Sequence, residues 1–335
     1  MGQSTSDRDP VRVLVTGGTG FIGSHLVKLL LRRGVRLTCL LRPTSPRTWL
    51  PPETNIIEGD LTDPRSLRQI AATGFDYVYH LGGLTKSVDP NHYEAVNHLG
   101  VKHLAEACAA GPTPPKVFLY LSSLAAAGPS PDGRALTEED PPRPISRYGR
   151  SKLAGEAALQ ALEASLPWVI VRAPVIYGPR DRALLPFFRL ATWRIALAPP
   201  GDRTLSLCHV DDLAEGLTKA VLGGKTGQIY YVSDGRLHSW RAVLAAIGEA
   251  LGVRPVRLPL WPGLLSPLAI IGEAWSHGGG GPAPFLNRDK VEELKAAHWV
   301  CDSSKAVREW DYAPRVSLAE GMRRTVAWYR EQGWL

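Results

Sequence analysis

Three hundred and thirty-five residues are enough for two ordinary domains, or for one large α/β unit with an appendage. With 44% hydrophobic and 21% charged residues the balance is globular, which excludes a disordered, collagen-like or coiled-coil chain. The formal charge of +7 comes from scattered basic residues with no recognition motif beside them, so no nucleic-acid partner is expected and the charge is assigned to surface and anionic-ligand sites.

Residues 1–10 are polar and lack the apolar core of a signal peptide; a disordered leader on a cytoplasmic protein is expected. From Val11 onward, short runs of branched and aromatic residues predict strands at 11–15, 35–41, 55–57, 75–81, 116–121 and 168–172. Between them the pattern predicts helices at 21–33, 64–72, 91–110 and 147–166. Strands alternating with helices imply an α/β fold, a doubly wound parallel sheet covered on both faces. Past Arg172 five prolines fall within 174–200, followed by a strand at 204–209, a helix at 211–222 and a strand at 228–232. From Ser239 helices surround a Pro- and Gly-rich middle, and the four glycines at 278–281 read as a loop.

The run 258–272 carries no charge over 15 residues but is broken by Pro259, Pro262, Gly263 and Pro267. It falls short of the ~20 apolar residues that cross a bilayer, so no membrane span is expected. Cys39, Cys108, Cys208 and Cys301 are far apart and show no metal-ligand spacing; they read as reduced, packed thiols. His209, Asp211 and Asp212 sit where a helix begins, and the acids suit caps and dipole partners better than a metal. No metal is expected.

The first strand runs into Thr16-Gly17-Gly18-Thr19-Gly20-Phe21-Ile22-Gly23 and then a helix. Gly17, Gly20 and Gly23 form a variant of the dinucleotide fingerprint. Gly17 allows the tight turn, Gly20 the close approach of a pyrophosphate, and Gly23 the packing of helix on strand. The second strand ends in Leu41-Arg42-Pro43-Thr44-Ser45-Pro46-Arg47, and no Asp or Glu lies between Pro10 and Glu53. A carboxylate there would bind the ribose of NAD and repel the extra phosphate of NADP. Arg42, helped by Ser45 or Arg47, suits NADP(H), with NAD(H) as the alternative.

Tyr148 and Lys152 stand four residues apart on a predicted helix and so share a face. A phenol near its ordinary pKa of about 10 is a poor acid–base group at neutral pH, and bringing it to 7 takes about 4 kcal/mol of differential stabilisation. A nearby ammonium works in that direction. Ser122 and Ser123 end the strand at 116–121, and the carboxyl end of a parallel strand is where α/β proteins bind ligands.

These residues resemble the extended branch of the short-chain dehydrogenase/reductase family. The resemblance runs through residues 16–23, Gly59-Asp60-Leu61, His80-Leu81-Gly82-Gly83, Asn97, Leu121-Ser122-Ser123 with Gly128, Tyr148 to Lys152, Arg172-Ala173-Pro174 with Tyr177-Gly178-Pro179, and His209-Val210-Asp211-Asp212. It implies a Rossmann-type sheet with a smaller C-terminal substrate-binding domain. Residues 11–172 and 203–235 would form the first, 173–202 and 236–335 the second. It further implies that Ser123, Tyr148 and Lys152 are catalytic, that Asn97 supports their proton relay, and that Asp60 contacts the adenine. Thr19, Phe21, Ile22, Leu61, Leu81, Gly82, Gly83 and Ser122 would line the cofactor, with Pro174, Val175 and Ile176 flanking the nicotinamide. A homodimer paired through helices 91–110 and 147–166 is expected, as among relatives.

The departures are informative. Leu124-Ala125-Ala126-Ala127 replaces the acidic pair that dehydratases carry after the serine, and 204–208 lacks the arginine-containing run typical of sugar-nucleotide epimerases. The Leu41–Ser45 segment, residues 205–212 and the apolar stretch 258–271, flanked by Trp261 and Trp275, are more similar to dihydroflavonol reductases and 3-beta-hydroxysteroid dehydrogenases. The expected activity is therefore interconversion of a ketone and a secondary alcohol on a fairly apolar small molecule. A sugar-nucleotide epimerase with tightly bound NAD and a dinucleotide-sensing binding module are the alternatives.

Overall fold

The computed structural model describes residues 10–87, 89–261, 263, 265–267, 269 and 287–335. Residues 1–9 of the expected leader and the glycines at 278–281 lie outside the described residues, as does Trp275. The strands are β1 (Arg12–Thr16), β2 (Arg36–Leu41), β3 (Asn55–Glu58), β4 (Tyr77–His80), β5 (Val117–Ser123), β6 (Trp168–Ala173), β7 (Val175–Tyr177), β8 (Ile195–Ala198), β9 (Thr204–His209), β10 (Gln228–Tyr231), β11 (Leu237–Ser239), β12 (Val256–Pro259) and β13 (His298–Trp299). The helices are α1 (Phe21–Arg32), α2 (Arg68–Thr73), α3 (Pro90–Tyr93), α4 (Gly100–Ala109), α5 (Leu124–Ala127), α6 (Arg147–Gln160), α7 (Leu185–Thr192), α8 (Val210–Gly223), α9 (Trp240–Leu251), α10 (Arg288–Lys295), α11 (Ser304–Trp310) and α12 (Leu318–Glu331).

Seven strands pair in parallel in the order β10-β6-β5-β4-β1-β2-β3. Strands that are apolar on both faces need helices on both sides, and two buried clusters result. One places Leu26, Val27 and Leu30 of α1 with Leu213 and Leu217 of α8 against β1, β2, β5 and β6. The other packs Leu104 and Leu159 against Leu14, Phe118 and Ile170. The order reverses between β1 and β4, so the crevice beyond their carboxyl ends is the binding position of an open α/β sheet.

The helix expected over 91–110 is one continuous rod interrupted by a π-helical turn at Glu94–Leu99, which carries Asn97. A methyl at Gly155 of α6 would collide with the Asn97 carbonyl oxygen, so the widened turn and α6 touch backbone to backbone. The helix expected from 64 begins at Arg68 instead. Asp60 and Asp63 accept bonds from the Thr62 and Arg65 amides, and these local turns compete with helix formation. The helix expected to reach 166 ends at Gln160.

Strand β9 pairs with β7, β11 and β13 in a second sheet rather than joining the large one. Its apolar pattern marks a strand but not its partners. Helix α8, which follows directly, returns to cover β5 and β6. Asp212 is not a cap: its two oxygens accept the Arg315 and Val316 amides, while Asp211 pairs with His25 at 3.0 Å and His209 caps the helix. All four cysteines are buried and unpaired.

Candidate active site

The carboxyl ends of β1, β4, β5 and β6 bring four sequence segments to one crevice. After β1, Gly17 turns with φ +70°, and an added methyl would stand 2.8 Å from the Leu81 carbonyl and the Gly82 nitrogen. A side chain at Gly23 would collide with the Gly17 carbonyl oxygen, which keeps α1 tight against the loop. Gly20 precedes α1 with no side-chain cap and no acidic residue in the first turn. The positive helix end and its amides are thus left to a ligand, and a pyrophosphate fits them. The opposite wall is held by Thr16, whose hydroxyl accepts the Gly82 amide at 2.9 Å and bonds His80 Nδ1 at 2.6 Å. Leu61 packs on Gly82.

Further along, Arg42 stands exposed at the end of β2, and among the described residues no side chain pairs with it. Arg47, expected to assist it, is paired instead with Glu58 at 3.4 Å. Asp60 turns one oxygen to the amide and hydroxyl of Thr62. Pro174, Val175 and Ile176 follow β6, half-buried, where β7 crosses to pair with β9.

On the other flank Ser123, the last residue of β5, turns its hydroxyl toward the phenol of Tyr148 closely enough to act on its ionisation. It also accepts the Ala125 amide at 3.1 Å. Burial pushes the Tyr148 phenol up to about 12, and the Ser123 hydroxyl is the group that draws it down. Lys152 is 5% exposed and donates to the Leu121 carbonyl oxygen at 2.7 Å, its ammonium 4.1 Å from the centre of the Tyr120 ring. Burial lowers it to about 7, and the Glu156 carboxylate one turn on works against that fall. Among the described residues, then, Ser123 rather than Lys152 is what lowers the phenol. His80, buried behind the lysine, is held neutral by burial with its pKa down to about 3, so it adds no like charge.

Asn97 binds the loop after Gly83 through both amide atoms. Its oxygen accepts the Leu84 amide and its nitrogen donates to the Leu84 carbonyl, both at 2.8 Å, and to Ser151 Oγ at 3.0 Å. A methyl at Gly83 would stand 3.0 Å from Asn97 Oδ1 and 3.9 Å from Lys152 Nζ, so Gly83, Asn97 and Lys152 converge.

Ser122, expected to line the cofactor, engages its hydroxyl elsewhere. Side chains alternate along β5, and its hydroxyl turns away from Ser123 to donate to Glu156 Oε1 at 2.5 Å. Glu156 in turn receives Arg172 through Nε at 3.0 Å and Nη2 at 2.7 Å, and Arg172 reaches the Tyr231 hydroxyl at 3.2 Å. Sequence reasoning missed this buried pair, although Glu156 lies four residues after Lys152 and that spacing was a usable signal. It also missed Asp289, whose two oxygens accept the Arg147 and Tyr148 amides at 3.1 and 3.0 Å from 141 residues or more away. Glu293 accepts from Ser146, the cap of α6, at 3.0 Å. Nothing in the local sequence around 289 announces that contact.

A family model described as the NAD dependent epimerase/dehydratase family matches residues 13–233. The chain is 34% identical over 332 residues to a ceramide reductase of Caulobacter vibrioides, covering 96% of each chain. It is 30% identical over 348 residues to a 2-alkyl-3-oxoalkanoate reductase of Stenotrophomonas maltophilia, covering 95% of this chain and 99% of that one. Among solved structures, the UDP-glucose 4-epimerase of Thermus thermophilus in complex with NAD superposes with a TM-score of 0.76 at 29% identity, over 96% of this chain and 99% of that one.

Proposed function

Because this chain belongs to the NAD dependent epimerase/dehydratase family and is an NAD(P)-dependent oxidoreductase of the extended short-chain type, we propose that it reduces a ketone on a long-chain, fairly apolar substrate to a secondary alcohol. The observation that carries this reading is the hydroxyl pair of Ser123 and Tyr148 at the carboxyl end of β5, with Lys152 one helical turn on. Two of its relatives are named as reductases of a ceramide and of an oxoalkanoate, which supports a lipid-like ketone.

Gly17, Thr19, Gly20, Phe21, Ile22 and Gly23 would hold the pyrophosphate, Asp60 and Leu61 the adenine side, Leu81, Gly82 and Gly83 the wall of the crevice, and Pro174 to Ile176 the nicotinamide end. When bound, the nicotinamide supplies a hydride. Tyr148 gives its proton to the substrate oxygen as charge develops there, a task for which a protonated phenol is already in place at neutral pH. Ser123 holds that oxygen by its hydroxyl and keeps the phenol oriented. Lys152, once drawn toward the phenol, favours the phenolate left after transfer. Asn97 keeps the loop at Leu84 and the amide side of α6 in register. Arg42, exposed and with no Asp or Glu between it and Glu53, favours NADPH over NADH. The pieces at 173–202 and 236–335 are proposed to hold the substrate.

The test is oxidation of NADPH with a panel of long-chain ketones. Stoichiometric loss of NADPH with alcohol formation supports the reading. Tightly retained NAD(H) with turnover of a sugar nucleotide and no net cofactor loss overturns it in favour of epimerisation.

A further inference from the structure

Helix α6 begins at Arg147, so Tyr148 sits in its first turn, and helix ends fray unless their leading amides find acceptors. The local sequence supplies one such acceptor. Ser146, the cap, takes the Gly149 amide at 3.0 Å, and the Arg150 amide then opens the helical ladder on the Ser146 carbonyl at 3.0 Å. No acidic residue stands in that first turn. The two remaining amides, those of Arg147 and Tyr148, donate to Asp289 Oδ1 and Oδ2 at 3.1 and 3.0 Å. The start of α6 therefore borrows its carboxylate from a residue 141 positions beyond Tyr148.

Asp289 itself lies in the first turn of α10, whose cap Asn287 accepts the Lys290 amide at 2.8 Å. Two helix N-termini thus share one carboxylate, and both positive ends favour its charge. Glu293, one turn further along α10, accepts from the Ser146 hydroxyl at 3.0 Å and so fixes the cap as well, while pairing with Lys290 at 2.6 Å. Asn287 is buried and acts on the Tyr93 phenol, which accepts the Ser87 amide at 3.0 Å. The Tyr93 ring lies 6.2 Å from that of Tyr148. One short helix of the piece at 236–335 therefore reaches the cap of α6, its first amides and the ring beside the acid.

We propose that Asp289 is a positioning residue for the reduction: it holds the first turn of α6 and thereby keeps the Tyr148 phenol where it can give up its proton. This rests on the reading of Tyr148 as the proton donor. Ser123 ends β5 and Lys152 lies a turn further along α6, so a loosened first turn carries the phenol away from both. The glycine loop after β1 is untouched by that movement. The proposal thus separates turnover from cofactor affinity.

The first measurement is hydrogen exchange at the Tyr148 amide of the free chain, which involves no turnover. Asp289→Ala is expected to speed that exchange about tenfold or more, and Asp289→Asn, which keeps one acceptor oxygen, to speed it less. The second is kinetics with NADPH and a long-chain ketone. Asp289→Ala is expected to lower kcat about 10- to 100-fold while the KM for NADPH stays within about twofold, and Asp289→Asn to recover part of the loss. On a Tyr148→Phe background Asp289→Ala is expected to lower kcat no further, because its effect passes through the phenol. Should alanine at 289 unfold the chain, the isosteric Asp289→Asn carries the same tests with a smaller effect. Unchanged exchange at Tyr148 overturns the proposal. So does a loss of kcat matched by an equal rise in the KM for NADPH, or a further loss of kcat on the Tyr148→Phe background, since either makes Asp289 merely structural. Full turnover by Tyr148→Phe alone overturns the underlying reading as well, and the exchange measured on the free chain tells that failure apart.

Discussion

Glu156→Leu is expected to be among the most damaging single changes outside the crevice. Arg172 is 3% exposed and Glu156 1%, and the pair is closed by two bonds at 3.0 and 2.7 Å. Removing the carboxylate leaves a guanidinium buried between β6 and α6 with only the Tyr231 hydroxyl, and strands the Ser122 hydroxyl as well. An uncompensated buried charge of this kind costs about 3–5 kcal/mol. In a chain of this size that lowers the thermal midpoint by about 4–7 °C. Replacing both partners, Glu156→Leu with Arg172→Met, removes the stranded charge and is expected to restore at least half of the loss. Denaturant titration followed by circular dichroism measures all three proteins. A loss below about 1 kcal/mol in the single variant, or a double variant no better than the single, would refute the reasoning. The same substitution removes the anion that keeps Lys152 charged, so the lysine titrates lower still.

Tyr148→Phe is expected to reduce ketone turnover by roughly 10²–10⁴-fold while leaving NADPH affinity, read by fluorescence, nearly unchanged. Arg42→Ala should weaken NADPH by about 10- to 100-fold and NADH hardly at all, as measured from the two KM values. Gly23→Ala forces a side chain onto the Gly17 carbonyl, and isothermal titration should show cofactor binding lost or substantially weakened. Lys152 is depressed to about 7 in the folded chain against an ordinary value near 10.5, so the unfolded chain binds the extra proton between those values. Stability should therefore rise from about pH 7 to about pH 10 by up to a few kcal/mol, and Lys152→Met should flatten that rise in denaturant melts; an identical slope in both proteins would count against the assigned burial of the amine.

Much of this protein was legible without its fold. The alternation of apolar runs with amphipathic stretches comes from the two side-chain periods of strand and helix, and both are properties of neighbouring residues. So are the glycine turn after β1, the Tyr148 and Lys152 spacing along one helix, and the position of Ser123 at a strand end. The site was predicted as a set of segments because each segment carries its own local chemistry.

The tertiary structure decided what depends on residues far apart in the chain. Which strand β9 would pair with, and that Ser122 turns to Glu156 while Ser123 turns to Tyr148, are matters of partner choice, settled by packing. The π-turn at Asn97 lies where a glycine of α6 presses on its backbone. The amides at the start of α6 are held by Asp289, whose sequence neighbourhood says nothing of Tyr148. Local sequence determines what a segment can become. Burial in the company of distant segments determines which donors find acceptors, which charges survive, and how far the pKa of a buried lysine or phenol moves.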